Sequence, residues 1–187
     1  MRDTKKTKEL FDALISKAIL KQDVYDRTLK ALNMLKDGMK DLVKTYESLD
    51  TDQSHKIPFV FRDRGQFEAE LKFAGDTLVF MMHTNVFELP RDHEVMKTPY
   101  IKEDKERSYC GIINIFNFLS DSFKYQRIND SGYLIGRVFI NKDLHYFVEE
   151  NVKLDSCTIV LQTSEMNQKN ACKILESAIY YTINFDL

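Results

Sequence analysis

Proline is absent from residues 4–49, glycine appears there only as Gly38, and apolar side chains recur at heptad spacing. One heptad position holds Phe11, Ala18, Tyr25, Leu32, Met39 and Tyr46. Three residues after each come Leu14, Lys21, Thr28, Leu35, Leu42 and Leu49. This period marks a helix with one apolar seam. Lys21 and Thr28 interrupt the seam in its middle. Two readings compete: one continuous helix, which the unbroken phase favours, or a helical hairpin broken near Gln22 with Asp23 as N-cap.

Length makes the choice consequential. A helix of about 45 residues spans roughly 68 Å. Residues 51–187, folded compactly, should measure about 37 Å across. A continuous helix must then overhang its own domain, and its bare apolar stripe needs a partner. The simplest partner is a second copy, so the sequence leads us to expect a homodimer through the N-terminal helix. Residues 1–50 form the expected N-terminal helical segment and residues 51–187 an α+β domain. The polar stretch at 49–56 (LDTDQSHK) joins them.

The remaining chain alternates between strand and turn signals. Residues 57–61 (IPFVF) read as a short strand that Pro58 confines to a start or an edge. In residues 66–73, Phe67, Ala69, Leu71 and Phe73 alternate with Gln66, Glu68, Glu70 and Lys72, which predicts a strand with one buried face. On that reading Leu71→Asp unfolds the domain and Glu70→Lys is tolerated. A tight turn at Gly75-Asp76 returns the chain as a strand over 77–87. Residues 133–140 and 144–150 read as a second hairpin around Asn141-Lys142-Asp143, with a last strand at 158–162. Ser164 then caps a helix from 165 to about 183.

Two segments are less regular. Residues 107–127 read as a helix, because Tyr109, Ile112, Ile113, Phe116, Leu119 and Phe123 recur at helical spacing with Asn114, Asn117 and Asp121 opposite. Residues 88–106 contain Pro90, Pro99 and many charges, and read as a long irregular loop. If a ligand binds, that loop is the expected lid, open to cleavage at Lys97, Lys102 or Lys105 in the free protein. The pattern as a whole predicts an α+β fold. Its antiparallel sheet has about five to six strands with packed helices, preceded by the long heptad-patterned helix.

Charge and motifs narrow the function by subtraction. With 27 Lys+Arg against 29 Asp+Glu, the chain lacks the basic excess that phosphate neutralisation rewards, which disfavours nucleic acid. Asp12, Ser16 and Lys17 break the apolar run at 11–20, and no run reaches the roughly 20 residues of a membrane span, so no membrane partner is expected. Cys110, Cys157 and Cys172 have no paired spacing and read as free thiols of a reducing compartment, hence a cytoplasmic protein. Phosphate-loop, dinucleotide, nucleophile-elbow and HExxH motifs are missing, and the four histidines lack metal-ligand spacing, so neither cofactor nor metal is expected.

What remains are scattered polar candidates. His83 is expected across a hairpin from Glu68, where a carboxylate could make it a base. His93 sits between Asp92 and Glu94 in the long loop. Arg137 shares a hairpin face with His145 and Glu149, and its planar fork suits an anion. Each has a plainer structural explanation: a cross-strand contact, a solvated loop, a salt bridge. Two functions stay open. One is a non-enzymatic dimeric sensor, adaptor or small-ligand-binding module. The other is an enzyme with a motif-free site built from the histidines and carboxylates of the hairpins and loop.

Overall fold

The computed structural model describes residues 4–49, 57–127, 129–150 and 158–185. Most of the 49–56 joint, and Cys157, lie outside these residues. The heptad stretch is one continuous helix, α1 (Thr4–Ser48), with no break at Asp23. Among the described residues eight strands follow, more than the five to six expected. They are β1 (Phe59–Asp63), β2 (Glu68–Phe73), β3 (Asp76–Met82), the two-residue β4 (Phe87–Glu88), β5 (Tyr109–Leu119), β6 (Tyr133–Asn141), β7 (His145–Glu150) and β8 (Thr158–Glu165). Short helices α2 (Pro99–Glu103) and α3 (Ser120–Lys124) flank β5, and α4 (Gln168–Phe185) closes the order. The sheet runs β1-β2-β3-β5-β6-β7-β8 with every pair antiparallel, and β4 pairs with β5.

Both long helices pack on one face of the sheet. Val24, Thr28, Ala31, Leu32, Leu35 and Met39 of α1 are buried, at the spacing that keeps one helical stripe on the sheet. Ala171, Ile174, Leu175 and Ala178 of α4 join the same core, together with Leu71, Leu78, Phe80, Ile113, Val138 and Ile140. The helices meet where α1 has its one glycine. A Cβ on Gly38 would come within 2.8 Å of Leu175 Cδ1, so the absence of a side chain sets the closeness of the two helices. Asn167 caps α4 by accepting from the Asn170 N–H at 3.0 Å. Ser164, expected as the cap, is the residue of β8 opposite Tyr146.

The expected helix over 107–127 is instead β5 followed by the five residues of α3. The reason is position. β5 is a central strand covered on both faces, so it carries apolar residues on both and loses the alternation that marks a half-buried strand.

The expected loop over 88–106 is folded cover for the opposite face. It contains 3-10 turns at Glu94–Lys97 and Lys105–Ser108 on either side of α2. Val95 and Ile101 are buried in a second cluster with Leu89, Cys110, Phe139 and Phe147. A lid reading does not survive that packing.

Alternation in β2 places Leu71 in the core as expected, but Glu70 is buried too. Arg64 Nε reaches its carboxylate at 2.7 Å. The expectation that Glu70→Lys is harmless is corrected by this ion pair.

Candidate functional site

The register of the first hairpin decides the fate of the His83–Glu68 pair. The turn is Ala74-Gly75, with Ala74 at φ 47°, so Phe73 faces Asp76 and Glu68 faces Met81. His83 lies beyond the end of β3 and is not opposite Glu68. Its Nδ1 accepts from the Asn85 N–H at 3.0 Å, and its ring meets Phe87 edge-on at 4.8 Å. It closes a turn.

His93 plays a similar part. Its Nδ1 accepts from the Val95 N–H at 3.3 Å and caps the 3-10 turn there, while its ring lies 6.4 Å from that of Phe147. Arg137 faces Glu149 across β6 and β7 and holds its carboxylate at 2.8 Å. His145 lies flat against Tyr100, with centroids 4.9 Å apart and planes 7° from parallel. The Arg107 guanidinium also lies over the Tyr100 ring, 4.3 Å from its centroid.

Sequence reasoning did not foresee that second stack, nor the network around it. Arg107 Nε donates to Asp143 at 2.9 Å, the Asn141 amide donates to the Tyr100 hydroxyl at 2.9 Å, and Lys142 pairs with Asp104 at 2.8 Å. Burial pushes the Tyr100 phenol above its ordinary pKa, and the Lys142 ammonium holds the Asp104 carboxyl below its own. These contacts pin the 99–108 segment onto the β6–β7 turn. They are an anchoring network, and none of the five candidates is among the described residues of the cleft beside α4.

A cavity exists elsewhere. Between α4 and the helix-bearing face of the sheet lies a cleft of about 470 Å³. Its floor comes from Ile115 of β5, Ile135 and Gly136 of β6, and Tyr146 and Val148 of β7. Lys173, Ser177 and Tyr181 of α4 stand on its wall four residues apart.

The local cause of the cleft is a register shift. Ile115 pairs with Gly136 but Phe116 pairs with Leu134, leaving Ile135 as an extra residue on β6. A bulge of this kind bends its strand. The small side chains of Gly136, Ser177 and Ala178 then leave space where the bent strand passes α4. Burial raises the pKa of the Tyr146 phenol on the cleft floor. No local motif marks these residues, because they come from four elements and are individually ordinary core or helix-surface types.

Among the described residues no cluster of three metal-ligating side chains occurs. Among the same residues no helix is long and apolar enough to cross a membrane. No protein-family model, curated protein or solved structure matches the chain.

Proposed function

We propose that the protein is a non-enzymatic, homodimeric small-ligand-binding module of the sensor or adaptor kind, working in the cytoplasm. The observation that carries the reading is the division of α1. Its second half is core, whereas in its first half Leu10, Phe11, Leu14, Ile15 and Ile19 are each more than 50% exposed. A stripe of that size is rarely left bare on a monomer.

The occupant we assign is the same stripe of a second copy. Lys8, Lys17 and Lys21, all exposed, stand beside the stripe and give it the apolar centre and polar rim of an interface. A two-fold pairing lets one patch serve as both donor and acceptor surface. The cleft beside α4 supplies the ligand-binding half of the reading, being of ordinary size for a small-molecule site. Cys110 and Cys172 are free, and burial raises the pKa of both thiols, which suits a reducing compartment. An enzymatic reading has less support, because His83 and His93 use Nδ1 in turns and Arg137 is paired with Glu149.

Residues 5–21 carry five lysines against Glu9 and Asp12. Two such helices repel, so salt should tighten the dimer by screening, while it would loosen attachment to an acidic partner or an anionic lipid surface. Light scattering on the full chain at tens of micromolar, an ordinary dimer range, tests the assembly. The expected result is a dimer that strengthens with salt, and a monomer with unchanged circular dichroism for Leu14→Asp/Ile15→Asp. A monomeric wild type sinks the proposal.

A further inference from the structure

We propose that the cleft between α4 and the β5–β6–β7 face binds a carboxylate with an unbranched apolar tail, a fatty-acid-like molecule. The inference rests on the ligand-binding half of the proposed function and names the chemistry of the site.

The interior of the cleft selects the tail. Ile115, Ile135, Val148, Ile174 and Ala178 line it, and at about 470 Å³ it has room for a molecule of a dozen or so heavy atoms. The β6 bulge turns both Ile135 and Gly136 toward this space, so the floor is mostly aliphatic, with the Tyr146 phenol as its polar side chain. An apolar tail gains by leaving water here, and a sugar or nucleotide would lose its hydrogen bonds.

The wall selects the head group. Among the described residues lining the cleft, Lys173 is the one that is charged, and none is acidic. It is exposed, so its ammonium reaches the solvent edge. One turn further along α4 comes Ser177, followed by Tyr180 and Tyr181, all hydroxyl donors. A single cation beside hydroxyls suits a monoanion. A phosphate ester would call for more positive charge or an arginine fork.

The probe is dodecanoate below its micelle concentration, titrated calorimetrically into the full chain, with dodecan-1-ol and acetate as tail-only and head-only controls. The expected result is one site per chain, with both controls weaker by roughly tenfold or more, since neither can use tail and head together. Lys173→Glu should weaken dodecanoate roughly tenfold and Lys173→Arg should leave it within about threefold, as befits a solvent-edge ion pair. Ser177→Trp, which fills the mouth from an exposed position, should abolish binding while circular dichroism and melting stay as in the wild type. Absence of saturable binding, equal affinity for the alcohol, or binding indifferent to Ser177→Trp overturns the proposal. A thermal-shift panel of apolar amines, neutral sterols and nucleotides runs beside it. A hit abolished by Ser177→Trp with dodecanoate inert overturns the carboxylate assignment and keeps the ligand-binding reading. A panel without hits and inert dodecanoate overturns both.

Discussion

The Thr28 side chain of α1 occupies the space that a Cβ on Gly111 of β5 would need. The missing side chain of Gly111 lets the long helix approach the sheet closely here. Thr28 is fully buried, and its hydroxyl donates to the Val24 carbonyl at 2.7 Å, so it carries no unmet polar group into the core. Gly111→Ala should therefore lift α1 from β5 and cost about 1–3 kcal/mol, the usual range for overpacking. Thr28→Ala should cost less alone and should recover part of the Gly111→Ala loss when combined with it. Urea unfolding of the four proteins in a double-mutant cycle measures the coupling. Strictly additive losses would mean that the two residues do not touch.

Glu70 and Leu71 should now fail together. Leu71→Asp puts an unpaired carboxylate into the core. Glu70→Lys replaces a carboxylate that is 3% exposed with a cation beside Arg64. Because Arg64 is 43% exposed, the loss should fall below the roughly 3–5 kcal/mol of a fully buried pair. Thermal melts of both variants against the wild type check this, and a Glu70→Lys protein melting within a degree of wild type would contradict the Arg64 contact.

Acid should loosen the link between α1 and the β1–β2 turn. Lys36 is buried, and its ammonium meets the Asp63 carboxylate at 2.7 Å. The Lys36 ammonium, helped by the Gly65 N–H, holds the Asp63 carboxyl below its ordinary pKa. A carboxyl lowered by folding stabilises the fold above its unfolded pKa, and that contribution is lost as pH falls through the folded value. The window therefore lies below about pH 4. Lys36→Met should flatten the fall of the urea midpoint in that window relative to wild type. Equal slopes in the two proteins would remove the pair from the account.

Protease resistance separates packed cover from open loop at 88–106. With Val95 and Ile101 buried against Phe139 and Phe147, trypsin should cut slowly at Lys97, Lys102 and Lys105 in the free protein. Ile101→Asp should release the segment and speed cleavage at those sites without ligand. Rapid cleavage of the wild type there would restore the loop reading.

The fold was readable where burial is one-sided. Residues 66–73 alternate because one face of β2 meets the helices, and the phase of residues 4–49 survived because the helix is continuous through Asp23. It failed where both faces are covered. In β5 the spacing of Ile112, Ile113 and Phe116 imitates a helix because Ile113 packs under α1 and α4 while Ile112 packs under the 88–108 segment. Thr28 looked like a fault in the seam, yet it is fully buried and fills the space beside Gly111, where small size is what the position needs. The paired His83 and Glu68 were lost to a turn placed one residue too late. The cleft was illegible for a different reason: it is made by a bulge and by missing side-chain volume, and neither leaves a pattern in the residue types.

The order of the sheet carries a consequence for biosynthesis. Each ladder joins strands adjacent in the chain, except that β3 and β5 skip the two-residue β4. Such local pairings can zip early. The docking of α4 on α1 is of another kind: Gln168 donates to the Met34 carbonyl at 3.2 Å across a separation of 134 residues. Since α4 follows every other described element in the chain, a nascent meander would wait with Ile135 and Tyr146, which face α4, uncovered until α4 arrives. That interval is when holdase chaperones should find this chain, and when slowed translation of residues 168–185 should be most harmful.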